Sequence, residues 1–510
     1  MQGHVCVPFF FIRLDMEKKG ESREMITIPL EMGSKEPIYE QIYKTIRQEI
    51  IEGRIPCGTK LPSSRGLAAN LLVSRSTIDM AYGQLVSEGY IESVPQKGYF
   101  ISNLETLYEE GIEVYVDSEE EPMEDVREAS PAYIDFSLNG VDMNYFPYGK
   151  WRKLTKDCLI DDNREMFLAG NHQGDYELRK IICNYIHQSR GVNCKPSRVL
   201  IGAGSDYMLL LLTHILGSNQ HIAMENPAYK QANTIFESVG YQTSFISLDE
   251  QGPMVEELEA CGADIMYVTP SHQFPSGLVM SANRRQKLLA WSTKSADHYI
   301  IEDDYDSEFR YYGKPIPSLQ SQDPFERVIY IGTLSKVIAP GIRLSYMVLP
   351  DALFREYEKR CSFYFSTVSR IDQRVIGSFF SEGHFERHLN RMRKIYKSKH
   401  DLLLKELKGM DIPIIIKGEN AGLHVVVQFG KKTEQASEIE GRLVALAREH
   451  DVMVYPISDY YLREESRIPS ILIGFARLSE EEIERGVRIL KDVWGKSFTI
   501  ENGSVIFNID

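Results

Sequence analysis

The sequence predicts two unlike folded parts: a small α+β module of three helices and a β-hairpin, and a large α/β domain around a mostly parallel, buried sheet. Three observations carry that prediction. Residues 35–103 alternate helical apolar stripes with turn signals. Residues 104–130 turn acidic and lose paired apolar positions, and from Tyr133 onward short β-like runs alternate with helical stretches. At 510 residues the chain exceeds one ordinary domain, and its 43% hydrophobic content suffices for large cores.

Taken in order, residues 1–34 form an amino-terminal extension. Its apolar run Val5–Ile12 has no lysine or arginine before it and is too short to cross a bilayer, so neither a signal peptide nor a membrane span is expected. A start of translation at Met16 or Met25 is an alternative reading, and no function is assigned to the leader.

Residues 35–103 are the small module. Ile38, Ile42, Ile46 and Ile50 make one stripe of an amphipathic helix that stops by Gly53. A second helix follows Pro62, a turn falls at Leu72-Val73, and a third helix opens at the N-cap Ser74. Arg75, Ser76 and Thr77 then project from its first turn, offering hydroxyls and a guanidinium to phosphates and base edges. Ile91–Ile101 reads as a small hairpin, a wing, with Lys97 and Gly98 near its tip. From Pro37 to Ser102 the module holds seven Lys/Arg against six Asp/Glu, so it is slightly basic on a chain of net charge −15. That total argues against a nucleic-acid-binding surface overall but leaves room for one such module. Charge alone fits a protein-interaction module equally well.

Residues 104–130 read as a solvated acidic linker, and residues 131–500 as the large domain. The seven cysteines are odd in number, scattered and without C-x-x-C pairing, which suits a reducing cytoplasm and gives no metal site. In the large domain, Gly202-Ala-Gly204 leads from a buried strand into a helix opening at Ser205, a weak signal for an anion site. Asp303, Asp304 and Tyr305 end an apolar strand, where open α/β sheets carry ligands. A helix cap or a metal site is the blander reading of those acids. Lys336 lies between two strand-like runs, flanked by Thr333, Ser335 and Arg343. A lysine there must pair, snorkel or lose its charge. One ligand would use all these groups. Pyridoxal 5'-phosphate (PLP) needs an amine for its aldehyde, a carboxylate for its ring nitrogen, donors for its phosphate and an aromatic face, which Tyr229 could supply.

The stretches "GTKLPSSRGLA", "VSRSTIDMAYGQLVSEGYI" and "GYFI" resemble the winged helix-turn-helix of GntR-type regulators. That resemblance implies that Ser63, Arg65, Ser74, Arg75, Ser76 and Thr77 approach double-stranded DNA, with Lys97 and Gly98 of the wing at the minor groove. Ile134–Leu490 resembles fold-type I PLP-dependent aminotransferases. With "TPSHQFPSG" and "EDDYDSEFRY", the whole chain resembles the MocR-type, GabR-like regulators of the GntR superfamily. The resemblance implies Lys336 as the Schiff-base lysine, Asp303 on the pyridine nitrogen, Tyr305 at the ring hydroxyl and Tyr229 stacked on the ring. Ser205, Thr333 and Arg343 would hold the phosphate. It further implies a head-to-tail homodimer that responds to an amino acid, an amine or PLP itself, in the cytoplasm and away from membranes. An active aminotransferase carrying a DNA-binding arm is the alternative. Two departures bear on this. Phe274 stands where many such aminotransferases have an asparagine bonded to the cofactor, which favours sensing over turnover. Gln231 stands where the GABA-responsive relative has a carboxylate-binding arginine, so GABA is not carried over. Arg463, Arg467 and Arg477 are the carboxy-terminal candidates for a ligand carboxylate, and spacing does not choose among them.

Overall fold

The structure is a computed structural model that describes residues 9–13, 25–30, 36–103, 133–160, 164–313, 315–463, 467–501 and 504–507. The acidic stretch 104–130 lies outside the described residues. The chain divides into two units, Met1–Asp125 and Val126–Asp510.

In the first unit, β1 (Phe9–Arg13) pairs antiparallel with β2 (Met25–Pro29). The core of this unit begins before residue 35, because Ile28 and Leu30 are both 0% exposed within it. Helices α1 (Ile38–Ile51), α2 (Ser64–Leu71) and α3 (Arg75–Ser87) follow. Ile42, Ile46 and Ile50 of α1 are buried against Leu67 and Leu71 of α2 and against Ile78, Tyr82 and Leu85 of α3. Burying each isoleucine is worth about 1.5–3 kcal/mol. Leu72 takes a left-handed conformation at φ 57° and ends α2, which makes the turn into α3. β3 (Ile91–Val94) and β4 (Gly98–Ile101) form the expected hairpin, in which Val94 faces Gly98. A bridge from Lys60 to Phe100 extends it by one short edge.

The second unit starts with β5 (Ile134–Asp135), parallel to Val452–Met453. Its main sheet contains β6 (Val199–Gly202), β7 (His221–Asn226), β8 (Gln242–Asp249), β9 (Gly252–Pro253), β10 (Ile265–Val268), β11 (Tyr299–Asp304), β12 (Val328–Thr333) and β13 (Ser345–Val348). The spatial order is β6-β13-β12-β11-β10-β7-β8-β9. β8, β7, β10, β11 and β12 run parallel, while β13 is antiparallel to both β12 and β6. β6, β10, β11, β12 and β13 are buried at every residue, which explains their continuous apolar sequence. The reversal into β13 matters most for chemistry: the connection between β12 and β13, which includes the 3-10 turn Pro340–Ile342, is the stretch that carries Lys336. A smaller antiparallel sheet (Ile414–Lys417, His424–Phe429, Ser470–Gly474, Tyr455–Pro456) packs with the helices Ala436–Glu449 and Glu480–Trp494. Among the described residues, no helix is long and apolar enough to cross a membrane.

Candidate functional site

The carboxyl ends of β11 and β12, the turn after β12 and the start of the helix Ser205–Leu216 converge on one cavity of ≈ 330 Å³. The residues that the resemblance assigns to the cofactor line it, whereas Asp304, Gln231, Arg463, Arg467 and Arg477 do not. Lys336 and Thr333 come from the β12 side, Asp303 and Tyr305 from β11, and Ser205, Tyr229 and Arg343 from around the helix start.

Lys336 is held between the backbone and a side chain of one segment. Its Nζ donates to Leu138 O at 2.9 Å and to Asn139 Oδ1 at 3.0 Å. Both acceptors are uncharged, and burial pushes the amine down to about 8, with Asp306 pulling the other way. A substantial fraction of the amine is therefore neutral near physiological pH, the form that attacks a carbonyl.

Asp303, on β11, lines the same cavity. Tyr267 donates to its Oδ2 at 2.6 Å, while Oδ1 is buried with no partner. Burial raises its pKa to about 7; Asp304, Asp206 and Asp306 push the same way and the Tyr267 bond opposes them. A carboxyl raised in the folded state binds its proton more tightly folded than unfolded. The stability it contributes is thus full below about pH 4 and fades as pH rises through about 7. Asp303→Asn is expected to remove that fade. In urea unfolding of the ligand-free chain, the variant should gain about 2–4 kcal/mol on the parent between about pH 4 and pH 8. A difference that stays constant over this range would refute the assignment.

At the opposite wall, Gly204 (φ +93°) starts the helix at Ser205. A Cβ at Gly204 would lie 2.3 Å from Arg343 Nη2, so glycine lets the guanidinium approach the helix start. Asp206 ties this wall together, accepting from Tyr229 OH at 3.2 Å and from Arg343 Nη2 at 3.2 Å. The Ser335 Oγ is buried without a partner. Phe274 meets Tyr229 edge-on at 5.9 Å and Tyr305 at 5.6 Å, so that corner of the cavity is aromatic.

Sequence reasoning missed Asn139, Asp206, Tyr267 and Thr269, which also line the cavity. Asp206 was within reach, being adjacent to Ser205 in the first helical turn. Tyr267 and Asn139 were not, because their approach depends on strand register and on a distant loop.

The three carboxy-terminal arginines separate. Arg467 is buried on Glu440 and Ser437, and Arg463 donates to Ser247. Arg477 stays exposed, 3.9 Å from Asp135, and a Cβ on Gly140, beside Asn139, would fall 2.6 Å from its Cβ. Gln231 is exposed on the helix Lys230–Ser238 and does not line the cavity.

In the first unit, the residues read as DNA-facing lie at the start of α2, the start of α3 and the hairpin tip. Ser63 caps α2 by accepting from Gly66 N at 3.1 Å. Ser74 caps α3 by accepting from Thr77 N at 3.2 Å, and lies 2.8 Å from both Ser76 Oγ and Thr77 Oγ1. These two serines therefore have a structural task as well. Arg65 and Arg75 are exposed, and Arg75 pairs only loosely with Asp79 at 3.4 Å. Lys97 is exposed in the hairpin turn, and Gly98 has φ +111°.

Comparison with known proteins follows the same division. Residues 38–101 match "Bacterial regulatory proteins, gntR family", and residues 133–490 match "Aminotransferase class I and II". The chain is 39% identical over 470 residues to the uncharacterized HTH-type transcriptional regulator YhdI of Bacillus subtilis, covering 92% of this chain and 98% of that one. It is 28% identical to the probable rhizopine catabolism regulatory protein MocR of Rhizobium meliloti, covering 91% and 95%. It is also 30% identical to the pyridoxine biosynthesis transcriptional regulator PdxR of Corynebacterium glutamicum, covering 79% and 86%. Among solved structures, the kynurenine aminotransferase of Pyrococcus horikoshii, in complex with PMP, superposes with a TM-score of 0.63 at 23% identity, over 73% of this chain and 93% of that one.

Proposed function

Because the chain belongs to the MocR-type group of gntR-family transcriptional regulators, with a helix-turn-helix domain joined to a class I and II aminotransferase domain, we propose that it regulates transcription through PLP. Its ligand is an amino acid, an amine or PLP itself. The observation that carries the cofactor reading is the pairing, across one cavity, of a lysine amine pushed down to about 8 with the unpartnered Asp303 Oδ1. A protonated ring nitrogen would satisfy that oxygen, and phosphate would satisfy Ser335 Oγ on the wall that carries Arg343 and the helix start.

When bound, PLP supplies an aldehyde carbon that condenses with amines and a ring that withdraws electrons. The chain's residues do the rest. Lys336 holds the group covalently. Asp303 fixes the ring nitrogen and stays ionised beside it. Tyr229 and Phe274 wall the ring and exclude water. Arg343, Ser205 and Thr333 neutralise and orient the phosphate. Arg477, held against Gly140 beside the cavity, is the arginine best placed for a ligand carboxylate. Ser63, Arg65, Ser74, Arg75, Ser76, Thr77, Lys97 and Gly98 meet double-stranded DNA. A head-to-tail homodimer in the cytoplasm would present two recognition helices to paired half-sites.

The test is a visible spectrum of the full chain with PLP, then with a panel of amino acids and amines, alongside binding to its own upstream DNA. A ligand-induced band change that persists, without release of a keto acid, and that alters DNA binding supports the regulator. Sustained keto-acid production would instead establish a working aminotransferase, the second reading, which the retained Lys336, Asp303, Tyr229 and Arg343 favour.

A further inference from the structure

Tyr305 of the cavity wall is backed by a buried pair outside the lining, His272 and Asp306, and the three side chains form a trio. His272 and Asp306 have side chains only 2% and 3% exposed. His272 Nδ1 lies 2.9 Å from Asp306 Oδ2 and 3.0 Å from the Tyr305 hydroxyl. Its Nε2 is buried with no partner. The slot is cut for this ring: a Cβ on Gly422 (φ +82°) would fall 1.9 Å from His272 Cε1.

The chemistry of the shared nitrogen decides who donates. An ionised carboxylate only accepts, so Nδ1 carries the hydrogen and gives it to Asp306. A protonated Nδ1 cannot accept from Tyr305. The hydroxyl can take only a share of that N–H through a lone pair, which frees its own proton for an acceptor in the cavity, whose wall Tyr305 forms. Phe274, packed edge-on against Tyr305 at 5.6 Å, offers no donor at this corner.

We propose that His272 and Asp306 are positioning residues that fix Tyr305 as a hydrogen-bond donor to the ring oxygen of the pyridoxal group. This rests on the PLP reading above and extends it to two residues outside the cavity lining. Removing the donor leaves more charge on that oxygen, which holds the proton of the adjacent Lys336 linkage more tightly. The charged and titratable groups facing the trio are Asp303, Asp304, Glu225, Lys336 and His424, whose ring lies 5.1 Å from His272.

The experiment is a pH titration of the visible band of the full chain loaded with PLP, for the parent, Tyr305→Phe, His272→Phe, the double variant and Asp306→Asn. Tyr305→Phe and His272→Phe are each expected to raise the midpoint by about one pH unit, a tenfold change in proton affinity. The double variant should shift no further than either single one. His272→Gln, whose amide can still donate to both oxygens, should restore most of the parent midpoint. A parent midpoint in His272→Phe, or additive shifts in the double variant, would overturn the proposal while leaving PLP in place. Should His272→Phe not fold, Asp306→Asn is made in both the parent and Tyr305→Phe, because Asp306 also raises the Lys336 amine directly, and an equal shift in the two backgrounds overturns the proposal. A parent chain with no PLP band would defeat the cofactor reading itself, and this proposal with it.

Discussion

Lys336→Ala should abolish the visible band that PLP gives with the parent chain, along with any capture of the group by borohydride reduction. The side chain supplies the amine on which both depend, and Asp303, Arg343 and Tyr229 bind without forming a bond. PLP should therefore still raise the melting temperature of the variant, but far less than that of the parent at equal concentration, as weaker binding dictates. The ligand response of DNA binding should disappear with the band, while basal DNA binding stays. An unaltered band in Lys336→Ala would mean that another amine carries the group and that the cavity has been assigned to the wrong ligand chemistry.

The second large effect belongs to the small unit. Arg75 opens α3 in exposed position, with only a loose partner in Asp79 at 3.4 Å. Truncating it should not unfold the helix, because Ser74 provides the cap. Arg75→Ala is expected to weaken binding to the regulator's own upstream DNA by about tenfold to a hundredfold, or about 1–3 kcal/mol. If Arg75 reads a base edge, the loss should fall mainly on one site sequence. If it contacts only phosphate, all sequences should weaken alike and the salt dependence should drop by about one unit of slope. Filter or fluorescence titrations at several salt concentrations separate the two, and unchanged affinity would remove α3 from the DNA interface.

Much of this was legible in the sequence, for identifiable reasons. Strands buried on both faces, such as Val328–Thr333, leave an apolar run that no surface element would tolerate, so the sheet could be read off. Helix starts are equally local: Pro62 and the cap Ser74 announce α2 and α3 through residues that follow at once. Asp303, Tyr305 and Thr333 stood out because each is a polar side chain at the end of an apolar run. What escaped was set by contacts between distant parts of the chain. Asn139 reaches Lys336 from a loop far away in sequence, and Tyr267 reaches Asp303 through the pairing of β10 with β11, which no single strand encodes. The choice among Arg463, Arg467 and Arg477 likewise needed packing, since only the fold shows Glu440 burying one and Gly140 flanking another. The boundary at residue 35 divided elements that fold together, because Ile28 and Leu30 carry no local sign of the core they join.

The two acceptors of the Lys336 ammonium, Leu138 O and Asn139 Oδ1, belong to the first described stretch of the large domain, just past β5. An amine committed to a carbonyl compound can no longer donate to both of them. A backbone carbonyl is then left wanting a donor at the doorway through which the chain enters this domain. Chemistry at that one nitrogen is thus coupled to the segment Leu138-Asn139, just past β5.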